Sequence, residues 1–298
     1  MLIDIGQLSL ETQVRGDPAE RPVLILIQGL GTPLIRWPDA LLDRLYEAGL
    51  CVVVFDNRDI GLSSYMDHLG VPDLKRLRSM NPLALPFSQA MPYTLADMAD
   101  DVVHLMDALH IREAHIAGAS MGGMIAQIVA ACAPARCLSL TSIISSSGNP
   151  LLPPPTPNAM KALFAPLPLQ HTEEAIVADS IRRQKILMSP DYPTPDDELK
   201  AQFTGEFRRG FHPLGVARQL AALWMGGDRR RMLADIRVPV AVLHGADDPL
   251  IPVACGRDTA ACVPGATLRV VPGMAHDFPN ALAPVFAETI LDAVHRAE

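Results

Sequence analysis

The sequence lacks the features that mark membrane, secreted and nucleic-acid-binding proteins. No apolar run approaches the roughly 18 residues that cross a bilayer. The N-terminal stretch MLIDIGQLSLETQV alternates like a strand and has no basic start or long apolar segment of a signal peptide. The formal net charge is −8 and no Lys/Arg-rich run is present, so nucleic acid and anionic membranes are disfavoured as partners. We therefore expect a cytoplasmic protein that acts on a small molecule.

Signatures of disulfides, metals and cofactors are also missing. The five cysteines are an odd number without a C-x-x-C pair, which is typical of reduced core residues. The G-x-G of an early loop lacks the third glycine of the dinucleotide fingerprint, which would fall at Leu34. No phosphate-loop motif occurs, and His104, His110 and His115 do not have the spacing of a zinc site. We expect neither a metal nor an organic cofactor.

What the sequence does contain is a series of short apolar runs, each close to a glycine or a polar turn. In a chain of 298 residues with 49% apolar and 19% charged residues, such runs are typical of strands that are covered on both faces. Two alternating stretches at the start are predicted to be edge strands, Leu2–Ile5 and Ser9–Val14. The predicted covered strands are Val23–Ile27, Cys51–Phe55, Ala114–Ala117, Leu138–Ile144, Val240–His244 and Thr267–Val271.

Helical patterns lie between these strands. One helix is predicted to begin at Thr94, because Thr94 and Asp97 have the spacing of a capping box. Another follows Ser120 and is predicted to end at Pro134. The alternation of strand and helix predicts an α/β fold with a mostly parallel, doubly wound sheet.

This alternation stops between residues 150 and 231. The stretch NPLLPPPTPN leads out, and helical patterns without a covered strand follow until GGDRRRMLADIRVP. We predict that residues 150–231 form a helical cap and that residues 1–149 and 232–298 form the core. Ordinary packing explains any one of the large apolar cap residues equally well, namely Leu163, Phe164, Phe203, Phe207, Phe211 and Trp224.

Ser120 stands between two glycines in the segment HIAGASMGGM, after a predicted strand and before a predicted helix. Gly118 and Gly122 would permit a turn too tight for a Cβ atom, which lifts the serine oxygen out of the backbone. A serine that only caps the helix would give the same local pattern. The motif therefore needs support from elsewhere in the chain.

That support comes from two other strand ends. LHGADDPLIP puts Asp247 and Asp248 after one strand, and VVPGMAHDF puts His276 after the last one. Residues at the carboxyl ends of parallel strands meet at one edge of the sheet. A histidine can take the proton of a serine hydroxyl, and a carboxylate can hold that imidazole in the required tautomer. The residues thus predict nucleophilic catalysis by Ser120.

Such catalysis also needs two backbone donors for the oxyanion. The amide of Met121, directly after Ser120, is predicted to be one of them. The other is predicted to be the amide of Leu30 in the loop QGLG, where Gly29 lets the backbone approach closely and Gln28 begins the loop.

Five segments then resemble the α/β-hydrolase superfamily, in the expected order: QGLG, DNRDIGLSS, GASMGG, HGADDPLIP and GMAH. They cover nearly the whole chain outside the predicted cap and are most similar to small esterases of the aclacinomycin methylesterase type. The resemblance implies that Asp248, third after the glycine of H-G-x-x-D, is the acid, with Asp247 as the alternative. Pro249 favours an extended backbone at Asp248. His244 is interpreted as a structural histidine, because the base should follow the acid in the chain.

Two positions depart from the motifs of that superfamily. Gln28 stands where the early loop usually has histidine, and we expect catalysis to survive this change because the donor geometry depends on the following glycine and amide. Asp59 stands where the loop after the fourth strand usually has its first glycine. We expect this change to alter the shape of the loop rather than the chemistry.

These observations predict a serine hydrolase that cleaves small to medium lipophilic carboxylic esters through an acyl-enzyme, as a monomer or small homo-oligomer. Lactone hydrolysis, carbon–carbon bond hydrolysis and perhydrolysis remain alternatives on the same triad. The alternative that is not an enzyme is a ligand-binding receptor, which keeps the fold but does not turn over its ligand.

The connection between Met66 and Tyr93 bears on the polarity of the substrate. Its apolar residues, together with the cap, predict a pocket for neutral esters: Leu83, Leu85, Phe87 and Met91. Three basic residues of the same connection would instead favour an anionic substrate: Lys75, Arg76 and Arg78.

Overall fold

The computed structural model describes residues 1–74 and 91–298. Within these ranges eight strands form one sheet, in the order β1-β2-β4-β3-β5-β6-β7-β8. The strands are β1 (Leu2–Asp4), β2 (Ser9–Arg15), β3 (Val23–Ile27), β4 (Cys51–Phe55), β5 (Ala114–Ala119), β6 (Cys137–Ile143), β7 (Val240–Gly245) and β8 (Thr267–Val271). The first two pair antiparallel to their neighbours, and the six strands from β3 to β8 run parallel. The prediction of a mostly parallel sheet is confirmed.

The positions of two strands in the sheet differ from the prediction. β2 is not an edge strand, because β1 pairs with one side of it and β4 with the other. β8 is not covered on both faces, because it forms the edge beyond β7 and its first three residues, Thr267 to Arg269, are exposed. A short apolar run does not show whether a strand has a second neighbour, which explains the error at β8. Alternation of apolar and polar residues does not show it either, which explains the error at β2.

Helices cover both faces of the sheet. In the described part of the chain before residue 150, the helices are α1 (Asp39–Glu47), α2 (Leu95–Ala108) and α3 (Met121–Cys132). Those after it are α4 (Pro157–Phe164), α5 (Glu173–Leu187), α6 (Asp196–Arg209), α7 (Pro213–Trp224), α8 (Arg230–Leu233), α9 (Val253–Cys262) and α10 (Ala283–His295). The predicted capping box at the start of α2 is confirmed, with Thr94 and Asp97 each bonding the other's backbone amide.

The central strand β3 shows why the apolar runs do not alternate with polar residues. Ile25 and Ile27 belong to the core cluster on the face that α2 and α3 cover. Leu24 and Leu26 belong to the cluster on the opposite face, which includes residues of α1 and α10. Both faces of β3 are therefore removed from water, and each apolar side chain contributes to one of two cores.

The segment between β6 and β7 is helical, as predicted, and residues 150–231 contain no strand. Helices α5 and α6 pack against each other through a small apolar cluster built on Val177, Leu199 and Phe203. We refer to residues 150–231 as the predicted cap. No helix in the described ranges has the length and apolar character needed to cross a membrane.

Candidate active site

Ser120 occupies a sharp turn between β5 and α3, with φ at +54° and ψ at −118°. Glycines are required around it because a Cβ on Gly118 would overlap the carbonyl group of Gly122, and a Cβ on Gly122 would overlap the carbonyl group of Ile27. The hydroxyl of Ser145 donates a 2.7 Å hydrogen bond to the carbonyl oxygen of Ser120 and braces the turn. A strained backbone of this kind persists only where its surroundings fix it.

The side chains of Ser120, His276 and Asp248 form a continuous hydrogen-bonded series. Nε2 of His276 lies 3.1 Å from Oγ of Ser120. Nδ1 of the same ring lies 2.7 Å from Oδ2 of Asp248. The other carboxylate oxygen of Asp248 accepts the amides of Leu250 at 2.9 Å and Ile251 at 2.8 Å. Buried Asp248 is thus fixed by its own loop and turned towards the imidazole.

The neighbouring carboxylate, Asp247, has a different partner. Its side chain is exposed, and its Oδ2 accepts the backbone amide of Gly273 at 2.9 Å. Asp247 therefore joins the loop after β7 to the loop after β8. Of the two candidates that the sequence left open, Asp248 is the one that contacts His276.

Of the predicted oxyanion donors, Leu30 lies in the loop after β3, and Met121 is the first residue of α3, directly after Ser120. In residues 1–74 and 91–298, neither of their amide groups donates to another group of the protein. Gly29 lies directly against the turn, since a Cβ added to it would be 3.2 Å from Cβ of Ser120. Both amides are thus without a protein acceptor among the described residues, and their role as oxyanion donors stays a prediction.

Ser120 and His276 line a cavity of about 720 Å³ between the sheet edge and the predicted cap. Its apolar lining includes Leu30, Met124, Ile144, Leu163, Phe203, Leu220, Leu223, Trp224, Leu250 and Ile251. Three of the six large cap residues that the sequence singled out, Phe164, Phe207 and Phe211, do not line it. The cavity is thus largely apolar and built from both the core and the predicted cap.

Among the described residues, two arginines reach the wall of this cavity, and both are paired with carboxylates. Arg36 forms an ion pair with Glu206 of α6, and Arg183 pairs with Asp179 of α5. Asp179 is shared with Arg182, and the other donors of Arg183 go to the carbonyl oxygens of residues 162, 165 and 166, so both wall arginines are already engaged within the protein.

The connection that was predicted to add to the lining is mostly not described. Leu83, Leu85 and Phe87 lie outside the described residues, as do Lys75, Arg76 and Arg78. Met91 is described and does not line the cavity.

Residues 22–279 match the family described as alpha/beta hydrolase fold. The chain belongs to the α/β-hydrolase family. The resemblance and the fold that the motifs predicted are both confirmed.

This α/β hydrolase is similar to two methylesterases over nearly its whole length. It is 27% identical to rhodomycin D methylesterase DauP of Streptomyces sp. strain C5, covering 97% of this chain and 96% of that protein. It is 26% identical to rhodomycin D methylesterase DnrP of Streptomyces peucetius, with the same coverage. Among solved structures it resembles a hydrolase from Pseudomonas aeruginosa PA01, with a TM-score of 0.73, 26% identity and 98% coverage of both chains.

In this hydrolase, Gln28 replaces the usual histidine and is almost fully buried. Its carbonyl oxygen accepts a 2.9 Å hydrogen bond from Nδ2 of Asn57, and its side-chain Oε1 accepts the amide of Gly29 at 3.3 Å. Its Nε2 has no partner among the described residues. The replacement leaves Gly29 and the amide of Leu30 beside Ser120.

Asp59 replaces the usual glycine, and its role was missed by the sequence analysis. It keeps a glycine-like φ of +73°, which aspartate adopts more readily than most residues. Its fully buried carboxylate pairs with both Arg218 Nε at 2.8 Å and Arg218 Nη2 at 2.7 Å, and it also accepts the hydroxyl of Tyr93 at 2.8 Å. Burial alone would raise the pKa of Asp59, but the Arg218 guanidinium, the amide of Met66 and the hydroxyl of Tyr93 together outweigh it and hold the pKa below its usual range.

The Asp59–Arg218 pair ties α7 of the predicted cap to the core. Arg218 is fully buried and also contacts Asp67, which lies 3.0 Å from Nε2 of His212. Asp59, Asp67 and His212 are close enough to hold a cation, but the guanidinium of Arg218 already supplies the positive charge at both carboxylates. The only sequence signal was an aspartate at a glycine position, and nothing local pointed to an arginine 159 residues away.

His244 lies behind Asp248 and does not face the cavity. Its Nε2 is 2.7 Å from the carbonyl oxygen of Ile251, in the loop that carries Asp248. Burial lowers the pKa of this histidine below its ordinary value of 6.5. These contacts agree with the predicted structural role.

Proposed function

We propose that this α/β hydrolase is a serine esterase that cleaves neutral, lipophilic carboxylic esters through an acyl-enzyme. The observation that carries the proposal is the series Ser120–His276–Asp248, which opens through Ser120 and His276 onto a large apolar cavity. Similarity to two methylesterases over nearly the full length supports the same class of reaction.

In the first step, Nε2 of His276 takes the hydroxyl proton of Ser120 while Oγ attacks the ester carbonyl carbon. The carbonyl π electrons move onto oxygen, and the amides of Leu30 and Met121 donate to that oxyanion. Asp248 holds Nδ1 of His276 protonated and stabilises the imidazolium. When the tetrahedral adduct collapses, the carbon–oxygen bond to the alcohol breaks and His276 gives the alcohol its proton.

The second step removes the acyl group from Ser120. A water molecule takes the place of the alcohol, His276 accepts its proton, and the hydroxide attacks the acyl carbon. Collapse of the second tetrahedral adduct returns the proton to Oγ of Ser120 and releases the carboxylic acid. No group other than the side chains and amides already named is needed for this cycle.

The preference for neutral esters rests on the walls of the cavity. Ligand pockets are mostly apolar with a few placed polar groups, and their usual size includes the 720 Å³ found here. Of the two arginines on the wall, Arg36 pairs with Glu206, and Arg183 is engaged by Asp179 and by three backbone carbonyl oxygens. Residues 150–231 would act as the cap that shields the ester from bulk water and sets its fit.

A panel of p-nitrophenyl esters tests this proposal. We expect kcat/KM for the butyrate and hexanoate esters to exceed that for the hemisuccinate ester at least tenfold, with Ser120→Ala as the control for background hydrolysis. If the anionic ester is the best substrate, the neutral-pocket proposal is wrong. If no ester, methyl ester or lactone is turned over and Ser120 is not acylated, the esterase proposal is wrong, and the outcome favours the receptor or a non-ester reaction on the same triad.

A further inference from the structure

The loop that carries the Leu30 amide is held from the predicted cap as well as from the core. We call residues 28–32 the early loop. The amide of Gly31 donates a 2.9 Å hydrogen bond to Oε1 of Gln219, which lies on α7. Gln219 is fully buried, so this bond is not in competition with bulk water.

The other end of the Gln219 side chain is also engaged. Its Nε2 donates a 2.8 Å hydrogen bond to the carbonyl oxygen of Arg58, in the loop after β4. A backbone amide can only donate and a carbonyl can only accept, so the two partners fix which end of the carboxamide faces each of them. Gln219 therefore bridges the early loop and the loop after β4 in one orientation.

Helix α7 is itself held in place by Arg218, the residue next to Gln219. Arg218 makes the two-pronged ion pair with buried Asp59, and it donates to the carbonyl oxygen of Gly70 at 3.1 Å. One turn earlier, Val216 lies against the early loop, since a Cβ on Gly31 would be 3.3 Å from its methyl carbon. Gln219 thus extends from a firmly anchored helix.

The peptide group between Leu30 and Gly31 is held at both of its polar ends. Its carbonyl oxygen accepts the hydroxyl of Thr32 at 3.0 Å, and its amide donates to Gln219. Because a peptide group is planar, these two bonds fix its orientation. The amide of Leu30, on the other side of the same Cα atom, is then restricted in the direction in which it points.

We propose that Gln219 is a positioning residue for the reaction, which orients the Leu30 amide towards the oxyanion through Gly31. This inference rests on the proposed function, because it assumes that the Leu30 amide is an oxyanion donor. An oxyanion donor acts mainly in the transition state, so loss of its alignment should lower kcat more than it raises KM. Because Gln219 lies on α7, the proposal also means that the predicted cap must be docked on the core before the oxyanion site is competent.

The test compares Gln219→Met with Gln127→Met. Gln127 is a matched control because it is also fully buried and also makes two hydrogen bonds, to Ser142 and Arg229, without touching the early loop. We expect Gln219→Met to lower kcat by about 10-fold to 100-fold, as a misplacement of about 1 Å does, with KM within threefold of the parent. A boronic acid that forms a tetrahedral adduct with Ser120 should bind more weakly by a similar factor. Gln127→Met should keep both values within twofold even if its melting temperature falls.

A second pair of variants covers the case in which the methionine variant does not fold. Gln219→Asn keeps a polar group in the site but is one methylene too short to reach both partners, and Gln127→Asn is its control. If the Gln219 variants match their Gln127 controls in kcat and in boronic acid affinity, Gln219 does not position the early loop. Labelling of Ser120 and ester turnover in the parent report separately on the proposed function, so failure of one idea is distinguishable from failure of the other.

Discussion

His276 contacts Asp248 and not Asp247, although the two carboxylates are adjacent in the chain. Nδ1 of His276 lies 2.7 Å from Oδ2 of Asp248, whereas Asp247 accepts the amide of Gly273. We therefore predict that Asp248→Asn lowers kcat on the order of a thousandfold or more, because the imidazole loses the partner that sets its tautomer. Asp247→Asn should lower kcat less than tenfold.

The two variants are compared by steady-state kinetics with one p-nitrophenyl ester, after circular dichroism has shown that both are folded. Comparable losses at the two positions would leave no special role for Asp248. A loss confined to Asp247 would reverse the assignment.

Replacing Asp59 by the glycine that the family motif has at this position should destabilise the protein. Asp59→Gly relieves a positive φ but leaves the buried guanidinium of Arg218 with Asp67 as its remaining carboxylate. Removing one partner of a buried ion pair costs about 3–5 kcal/mol. We expect a loss of about 3 kcal/mol in the free energy of unfolding, measured by urea denaturation.

Asp59→Asn serves as the control, since asparagine also adopts positive φ and keeps a hydrogen-bond acceptor for Arg218. It should lose less stability than Asp59→Gly. A glycine variant as stable as the parent would show that the ion pair contributes nothing.

The stability that two buried histidines contribute should fall as the pH drops below 6.5. Burial lowers the pKa of both His244 and His115 in the folded protein from an ordinary value of 6.5. The unfolded chain therefore binds protons at these histidines before the folded protein does, and this favours unfolding as the pH falls. Their contribution is complete above pH 6.5 and is lost as the pH falls towards the folded pKa, by at most about 1.4 kcal/mol per pH unit for each histidine.

Urea denaturation at pH 7.5, 6.5 and 5.5 measures this dependence. His115→Gln keeps a hydrogen-bonding side chain beside Ser139 and should reduce the slope between pH 6.5 and 5.5. Stability that is constant or rises on acidification across this range would rule out two buried neutral histidines as its main determinant.

The apolar cavity predicts how the rate depends on acyl chain length. Each buried methylene contributes roughly 0.8 kcal/mol, so kcat/KM should rise about threefold to fourfold per carbon from acetate towards hexanoate. The rise should stop when the cavity is filled. A series that is flat, or that falls from the acetate ester onward, would mean that the acyl group does not enter the apolar part of the cavity.

Much of the fold could be predicted from the sequence because several of the parallel strands, such as β3 and β4, are buried along their whole length. The runs at Val23–Ile27 and Cys51–Phe55 become strands with the predicted bounds. Thr267–Val271 also has the predicted bounds, yet it is an exposed edge strand. Leu268, Val270 and Val271 are apolar as in a covered strand, whereas Thr267 and Arg269 are polar. The missing neighbour is a property of the whole sheet.

The candidate site likewise contains residues that the sequence predicts and residues that it does not. Ser120 and His276 were predicted because they lie in local motifs at strand ends, and the structure brings them within 3.1 Å of each other. Arg218 and Gln219 were not predicted, since their partners Asp59 and Gly31 are more than 150 residues away. Contacts between an inserted helix and a distant loop depend on how the insertion docks, which has no short sequence signature.

Covalent labelling of Ser120 tests the central claim most directly. The protein is treated with a fluorophosphonate, and the modified peptide is mapped by mass spectrometry beside the Ser120→Ala variant. We predict one equivalent of label on Ser120, no label on the variant, and a fall in kcat of at least a thousandfold for the variant. Label on another residue, or a Ser120→Ala variant that still hydrolyses the ester at the parent rate, would contradict the account.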